Sequence, residues 1–427
     1  MKKIIQFILK VLARSTITRY QPRVVGITGS VGKTSTKEAI AAILALRYSV
    51  GQTNKNFNNE IGLPLTIIGA KNSGYRNPIT WLIIFVRALW QIIVKNNKYP
   101  EFLILEMGID HKGDMDYLLS IVQPEAGVLT AVSEVHLEFL GSIDNVVYEK
   151  GKLLRSLPKQ GIAVINCEDQ RLLTLLDKIK AKIITFGFSN QAQVWADGIQ
   201  MSKNNNNEVQ GLSFKLHYGG GVTPLLLPQV LGRHQINIAL AAAAIGLGLE
   251  FTAVDVSSAL RNFTFPPGRM KLIPGVKNTK VIDDSYNSSP LALKEALKTL
   301  ADFPLNGQAK RWAILGDMLE LGADSIKLHR ECGELVANLG IDYLMTVGEQ
   351  SRDLGRGAGA SGFGRDNYVH FATAQEAALF VKDKLCEGDV LLIKGSQGIR
   401  MERAVKELMA DPTKANDLLV RQYKPWI

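Results

Sequence analysis

Gly26-Ile-Thr-Gly29-Ser30-Val31-Gly32-Lys33-Thr34-Ser35-Thr36 is the stretch from which the rest of the chain can be read. It follows an apolar run over 23–27 and precedes a helical pattern from 33 to about 46, so it joins a strand to a helix. Gly29 and Gly32 allow close approach of the backbone, and the free amides at the helix start face an anion. Lys33 reaches terminal phosphates, and the Thr34 hydroxyl suits Mg²⁺. Gly29, Ser30, Gly32, Lys33, Thr34 and Ser35 are therefore the expected phosphate contacts, with ATP as the foremost ligand. The spacing is GxxGKT, shorter than GxxxxGK[ST]. The competing reading, a glycine turn with a chance Lys-Thr, is disfavoured by the strand–helix context.

Around this loop the chain is ordinary in composition. Its 427 residues suggest two or three domains. Apolar residues make up 46% and charged residues 21%, which excludes a disordered, collagen-like or coiled-coil chain. Lys and Arg number 50 against 40 Asp and Glu, a net +10 that permits an anionic substrate or surface. No clustered basic stripe or aromatic platform points to nucleic acid. Three scattered cysteines, Cys167, Cys332 and Cys386, fit a reducing compartment better than a disulfide framework. The expectation is a cytoplasmic monomer.

Two apolar segments stand apart. Residues 1–19 carry Lys2, Lys3, Lys10, Arg14 and Arg19 among aliphatics, with Lys3, Gln6, Lys10 and Arg14 on one side of a helix. This reads equally as a basic helix on an anionic membrane or an end helix docked on its own domain. Residues 81–94 (WLIIFVRALWQIIV) are too short to span a bilayer and carry Arg87 and Gln91 at i, i+4. Burial is the preferred reading there, contact with lipid the alternative.

Past the loop, strands are expected over 102–105 and 126–129 and a helix over 235–247. Alternating segments fill 194–228, with Asn204–Asn207 as a hairpin loop. Pro266-Pro267-Gly268 reads as a domain joint and hinge. Beyond it strands over 280–282, 312–315, 343–347 and 390–393 alternate with helices over 291–300, 326–339, 374–385 and 401–409. The fold class is α/β: a P-loop central domain with a parallel sheet, then a Rossmann-like C-terminal domain. The expected boundaries are a basic arm at 1–22, a central domain at 23–265 and a C-terminal domain at 266–427.

Glu106 ends one strand, His136 follows another on the same sheet edge, and Lys150 lies on the next helix. By residue type alone these could equally be a loop cap, a half-buried histidine and a solvated lysine. The runs 29–44 (GSVGKTSTKEAIAAIL), 56–65 (NFNNEIGLPL), 105–108 (LEMG), 136–142 (HLEFLGS), 149–152 (EKGK) and 231–242 (LGRHQINIALAA) resemble the Mur ligase family. So do 268–270 (GRM), 283–290 (DDSYNSSP), 315–322 (LGDMLELG) and 393–396 (IKGS). The similarity is greatest to the branch that adds D-alanyl-D-alanine to a UDP-linked muramoyl tripeptide.

The resemblance implies an ATP-dependent amide-bond ligase of peptidoglycan assembly that works through an acyl phosphate shielded by closure of the C-terminal domain. It implies two magnesium ions, the first on Thr34 and Glu106, the second served by His136 and a carbamylated Lys150. Lys33, Lys150 and His136 are the catalytic candidates, with His136 or Glu138 assisting deprotonation of the amine. Asn237, Arg269, Asp283, Tyr286 and Asn287 match nucleotide-contacting positions. Two departures stand out. Only about twenty residues precede the loop where this branch carries a UDP-binding domain, and the usual KGSR is Lys394-Gly395-Ser396-Gln397, with Arg400 three places on. The alternatives are a lipid-linked or non-peptidoglycan acceptor reached through peripheral contact at the inner face of the membrane and, from another class, a P-loop nucleotide switch.

Overall fold

A computed structural model describes residues 2–53, 57–70, 77–133, 137–206 and 208–422. Their contacts form two units. The first is Met1–Gly198, Phe214–Leu225 and Ile236–Phe263; the second is Ile199–Ser213, Leu226–Gln235 and Thr264–Ile427.

The first sheet contains β1 (Arg23–Thr28), β2 (Val50–Gln52), β3 (Phe102–Glu106), β4 (Ala126–Leu129), β5 (Ile162–Asn166), β6 (Lys182–Gly187), β7 (Val194–Lys203), β8 (Val209–Tyr218) and β9 (Gly221–Pro228). Their spatial order is β2-β3-β1-β4-β5-β6-β7-β8-β9. The strands from β2 to β6 pair in parallel, with Ile27 opposite Glu106 on one side and Val128 on the other. A parallel strand covered on both faces reads as an unbroken apolar run, and FLILE and IAVIN are buried throughout. The chain order reverses around β1, so the carboxyl ends of β3, β1 and β4 open on one crevice. The glycine loop, Glu106 and Thr130 all sit there.

The second sheet runs β10 (Lys271–Pro274), β11 (Lys280–Asp284), β15 (Val390–Lys394), β12 (Arg311–Gly316), β13 (Tyr343–Val347) and β14 (Tyr368–Phe371). Only β10 is antiparallel to its neighbour. Val281, Ile314, Val347, Leu391 and Ile393 form its core. The expected alternation is present. The edge strand β14 (YVHF) was not anticipated, because all four of its residues are only half-buried and it lacks the apolar run of the central strands.

The two apolar segments depart from simple burial. The helix Lys2–Tyr20 docks through Leu9, Ala13 and Thr16, with Gln6 donating to Glu60 at 3.2 Å and Lys10 to Ser120 at 2.6 Å. The helix Pro78–Ile93 starts at an Asn77 cap and buries Trp81, Ile84 and Ala88. The expectation of a buried segment at 81–94 is corrected here. Ile79, Leu82, Val86, Trp90 and Ile93 are 57–66% exposed, because only the stripe at 81, 84 and 88 faces the core. Among the described residues no helix is long and apolar enough to cross a membrane.

Candidate active site

The glycine loop leaves β1 at Thr28 and enters the helix Lys33–Leu44 through Gly32, whose φ of 86° is strained for any residue with a side chain. Gly29, at φ 148°, is also constrained by space: a Cβ there would lie 2.0 Å from Thr130 Oγ1. Thr130 donates its hydroxyl to Val31 O at 2.6 Å, and Ser30 N donates to Ala131 O at 2.7 Å. The segment after β4 thus holds the loop in shape before any ligand arrives. Lys33 Nζ donates to Gly29 O at 2.7 Å, folding the amine back over the loop.

Across the crevice, Glu106 is almost completely buried at the end of β3. Its Oε2 accepts from Thr34 Oγ1 at 3.0 Å and its Oε1 from Asn58 Nδ2 at 3.1 Å, while its own amide donates to Thr53 Oγ1 at 2.9 Å. Lys37, buried in the same helix as Thr34, donates to Thr53 O and pairs with Glu38. The Thr34–Glu106 pair offers hard oxygen donors beside a phosphate cradle, which suits Mg²⁺. Among the described residues no group of three His, Cys, Asp or Glu could hold a metal unaided, so such an ion would draw further oxygens from phosphate and water.

Lys150 lies on the helix Ile143–Arg155, capped by Ser142, and is 1% exposed. Burial, aided by the charge of Lys33 and opposed by Asp110 and Glu149, pushes its amine down to about 7. The solvated-lysine reading is thereby excluded. Glu149 is itself occupied: its Oε1 accepts from Gly113 N at 2.8 Å and Met115 N at 3.3 Å, and its Oε2 lies 2.7 Å from Lys152. His136 and the side chain of Glu138 lie outside the described residues. Asn237 sits on the helix Arg233–Gly248 with a buried Oδ1 that has no hydrogen-bond partner among the described residues. Its neighbour Ile238 comes within 3.5 Å of where a Cβ on Gly32 would stand, so that helix flanks the loop.

The second unit gathers its own polar cluster at the carboxyl ends of β11 and β15. Arg269 stacks over the Tyr286 ring at 4.1 Å. Asp283 accepts from Ser285 N at 3.1 Å and is pushed up to about 6 by burial. Lys394 pairs with Asp284 and donates to Asn287 O at 3.0 Å, and Gln397 N donates to Asn287 Oδ1 at 3.4 Å. Arg269, Asp283, Tyr286 and Asn287 therefore form one cluster, as Lys33, Thr34, Glu106 and Lys150 do in the first unit. Arg400 is bound by Glu402 at 2.6 Å, and Glu402 also accepts from Arg421, whose guanidinium braces Ser285 O and Tyr286 O.

Several of these residues carried a signal in the sequence. Asn58 and Asp284 stand inside quoted runs, and Lys394 and Ser396 inside IKGS. Thr130, Glu402 and Arg421 carried none, because their roles depend on contacts far apart in the chain.

Family profiles described as the Mur ligase middle domain match residues 27–80 and 88–246, and one described as the Mur ligase glutamate ligase domain matches 268–397. The UDP-N-acetylmuramoyl-tripeptide–D-alanyl-D-alanine ligase of Bacillus subtilis is 30% identical over 404 residues, 95% of this chain and 79% of that protein. The Escherichia coli enzyme of the same name is 32% identical over 393 residues, 92% of this chain and 78% of its own. Among solved structures, MurF from Acinetobacter baumannii aligns with a TM-score of 0.78 at 25% identity, covering 95% of this chain and 81% of that one. The MurF ligase of Thermotoga maritima in complex with ADP shares the fold, with a TM-score of 0.77 at 24% identity and coverage of 93% and 82%.

Proposed function

This chain belongs to the Mur ligase family, and from that membership we infer that it is an ATP-dependent, ADP-forming ligase adding D-alanyl-D-alanine to a muropeptide carboxylate in peptidoglycan synthesis. The observation that carries the reading at atomic level is the Thr34–Glu106 pair, 3.0 Å apart, beside the glycine cradle.

A carboxylate does not condense with an amine in water, because its oxygen is too poor a leaving group. Here the substrate carboxylate attacks the γ-phosphorus of ATP, the bond to ADP breaks, and an acyl phosphate forms. The amine nitrogen then attacks the acyl carbon, the carbon–oxygen bond breaks, and phosphate and a proton leave. Lys33 and the loop amides from Gly29 to Thr34 bind the β- and γ-phosphate oxygens and stabilise the charge gathering there. Thr34 and Glu106 would hold the first magnesium, which when bound would supply Lewis-acid neutralisation of that charge. Lys150 is the carbamylation site: a half-neutral, buried amine reacts with CO₂ where a protonated surface lysine does not. His136 is proposed for the second magnesium. Asn237, whose Oδ1 has no partner among the described residues, is proposed to meet the nucleotide, as are Arg269, Asp283, Tyr286 and Asn287 of the second unit.

We propose the working division as an arm at 1–22, a central domain at 23–265 and a C-terminal domain at 266–427, supported by profile matches that end at 246 and resume at 268. The enzyme acts as a cytoplasmic monomer on small molecules, with a UDP-linked tripeptide as first acceptor and a lipid-linked muropeptide as second. ADP release in the presence of each acceptor, with and without D-alanyl-D-alanine, tests this. Release that needs both acceptor and dipeptide is expected. Turnover of ATP indifferent to any carboxylate acceptor would favour a nucleotide switch instead.

A further inference from the structure

The helices Lys2–Tyr20 and Pro78–Ile93 pack side by side and bury one face each in the same core, through Leu9 and Ala13 on one and Trp81, Ile84 and Ala88 on the other. Each turns its opposite face outward, and on both that face is apolar. Ile4, Phe7 and Val11 recur at i, i+3, i+7, and Leu82, Val86 and Trp90 at i, i+4, i+8, each 46–67% exposed. Singly exposed apolar residues are normal on a protein surface, but two adjoining stripes are not.

The helices themselves carry charge of one sign, and their acidic neighbour Glu60 is paired with Lys2 at 3.0 Å. Neither helix contains Asp or Glu. Lys3, Arg14 and Arg87 are exposed beside the apolar residues, and none of the three is paired with a carboxylate among the described residues.

We propose that this two-helix face docks on an anionic lipid bilayer. The helices lie in the headgroup plane, the stripes enter the acyl boundary, and Lys3, Arg14 and Arg87 meet lipid phosphates. Charge complementarity decides the occupant. A second copy of the face would bring cations against cations, which is unfavourable, whereas an anionic surface pairs with all of them. The proposal uses nothing of the ligase assignment.

The test is flotation of the full chain with vesicles of phosphatidylcholine alone or of phosphatidylcholine with a minority of phosphatidylglycerol. Binding to the anionic vesicles is expected to exceed that to neutral ones at least about tenfold and to weaken in high salt. The double variants L82S/W90S and K3E/R87E should each lose at least about tenfold in vesicle binding while keeping the wild-type melting temperature. Equal binding of the wild-type protein to both vesicle types would overturn the proposal without recourse to any variant. So would a wild-type dimer in lipid-free solution that L82S/W90S dissociates, because the face would then cover itself.

Discussion

Lys33→Ala is expected to lower kcat at least about a thousandfold while leaving ATP binding measurable. The expectation follows from how the loop is built. Its shape does not depend on Lys33: Thr130 and Ala131 hold Val31 O and Ser30 N, and the positive φ of Gly32 sets the helix start. The amides remain available to phosphate after the substitution, so ground-state affinity survives in part. What is lost is the mobile cation, now resting on Gly29 O at 2.7 Å, that follows charge onto the transferred group. A second consequence is less obvious. The Lys33 charge helps to lower the Lys150 amine, so its removal raises that amine toward an ordinary lysine and disfavours carbamylation. Steady-state kinetics with calorimetry of ATP binding separates these effects. A variant keeping a tenth of the wild-type kcat would contradict the role.

Lys150 carries the other large effect. Enzyme dialysed into CO₂-free buffer is expected to lose at least about nine-tenths of its activity and to recover it on addition of bicarbonate, whereas Lys150→Met stays inactive in both. Recovery should weaken as pH falls below about 7, where the amine takes up a proton. Stability supplies a readout independent of activity. The native amine titrates near 7 and the unfolded one near 10.5, so between these values the unfolded state binds more protons and stability rises with pH. The cost of burying this amine is therefore largest below about pH 7, on the order of a few kcal/mol. In CO₂-free buffer Lys150→Met should melt higher than wild type at neutral pH, with the gap closing toward pH 10.5. A Lys150→Met protein that melts lower at pH 7 and keeps its activity would contradict both halves.

Much of this was legible before the fold was known, for reasons that differ between elements. Parallel central strands such as β3 and β4 are buried on both faces and so spell themselves as apolar runs; β3 was placed within a residue. The three-residue β2 and the half-buried β14 carry too little apolar pattern to announce themselves. The helix Pro78–Ile93 misled for a physical reason: hydropathy reports that a segment avoids water, not whether protein or something else covers it. In the site, Lys33 and Thr34 were readable because phosphate chemistry fixes their spacing after glycine. Lys150 was not readable from its own neighbourhood, because its depressed amine depends on burial and on the charge of Lys33, both brought to it only by the fold. Thr130, Glu402 and Arg421 were silent for the same reason. The resemblance to a family supplied Lys150, and the structure supplied the cause.

The acyl phosphate has a signature that no nucleotide switch or simple ATPase reproduces. With an acceptor labelled by ¹⁸O in its reacting carboxylate, one labelled oxygen must leave with phosphate when the amide forms. Mass spectrometry of the phosphate released in a complete reaction should show one ¹⁸O per phosphate, in step with amide product. Unlabelled phosphate from the same reaction would contradict the account, because the carboxylate would never have been phosphorylated.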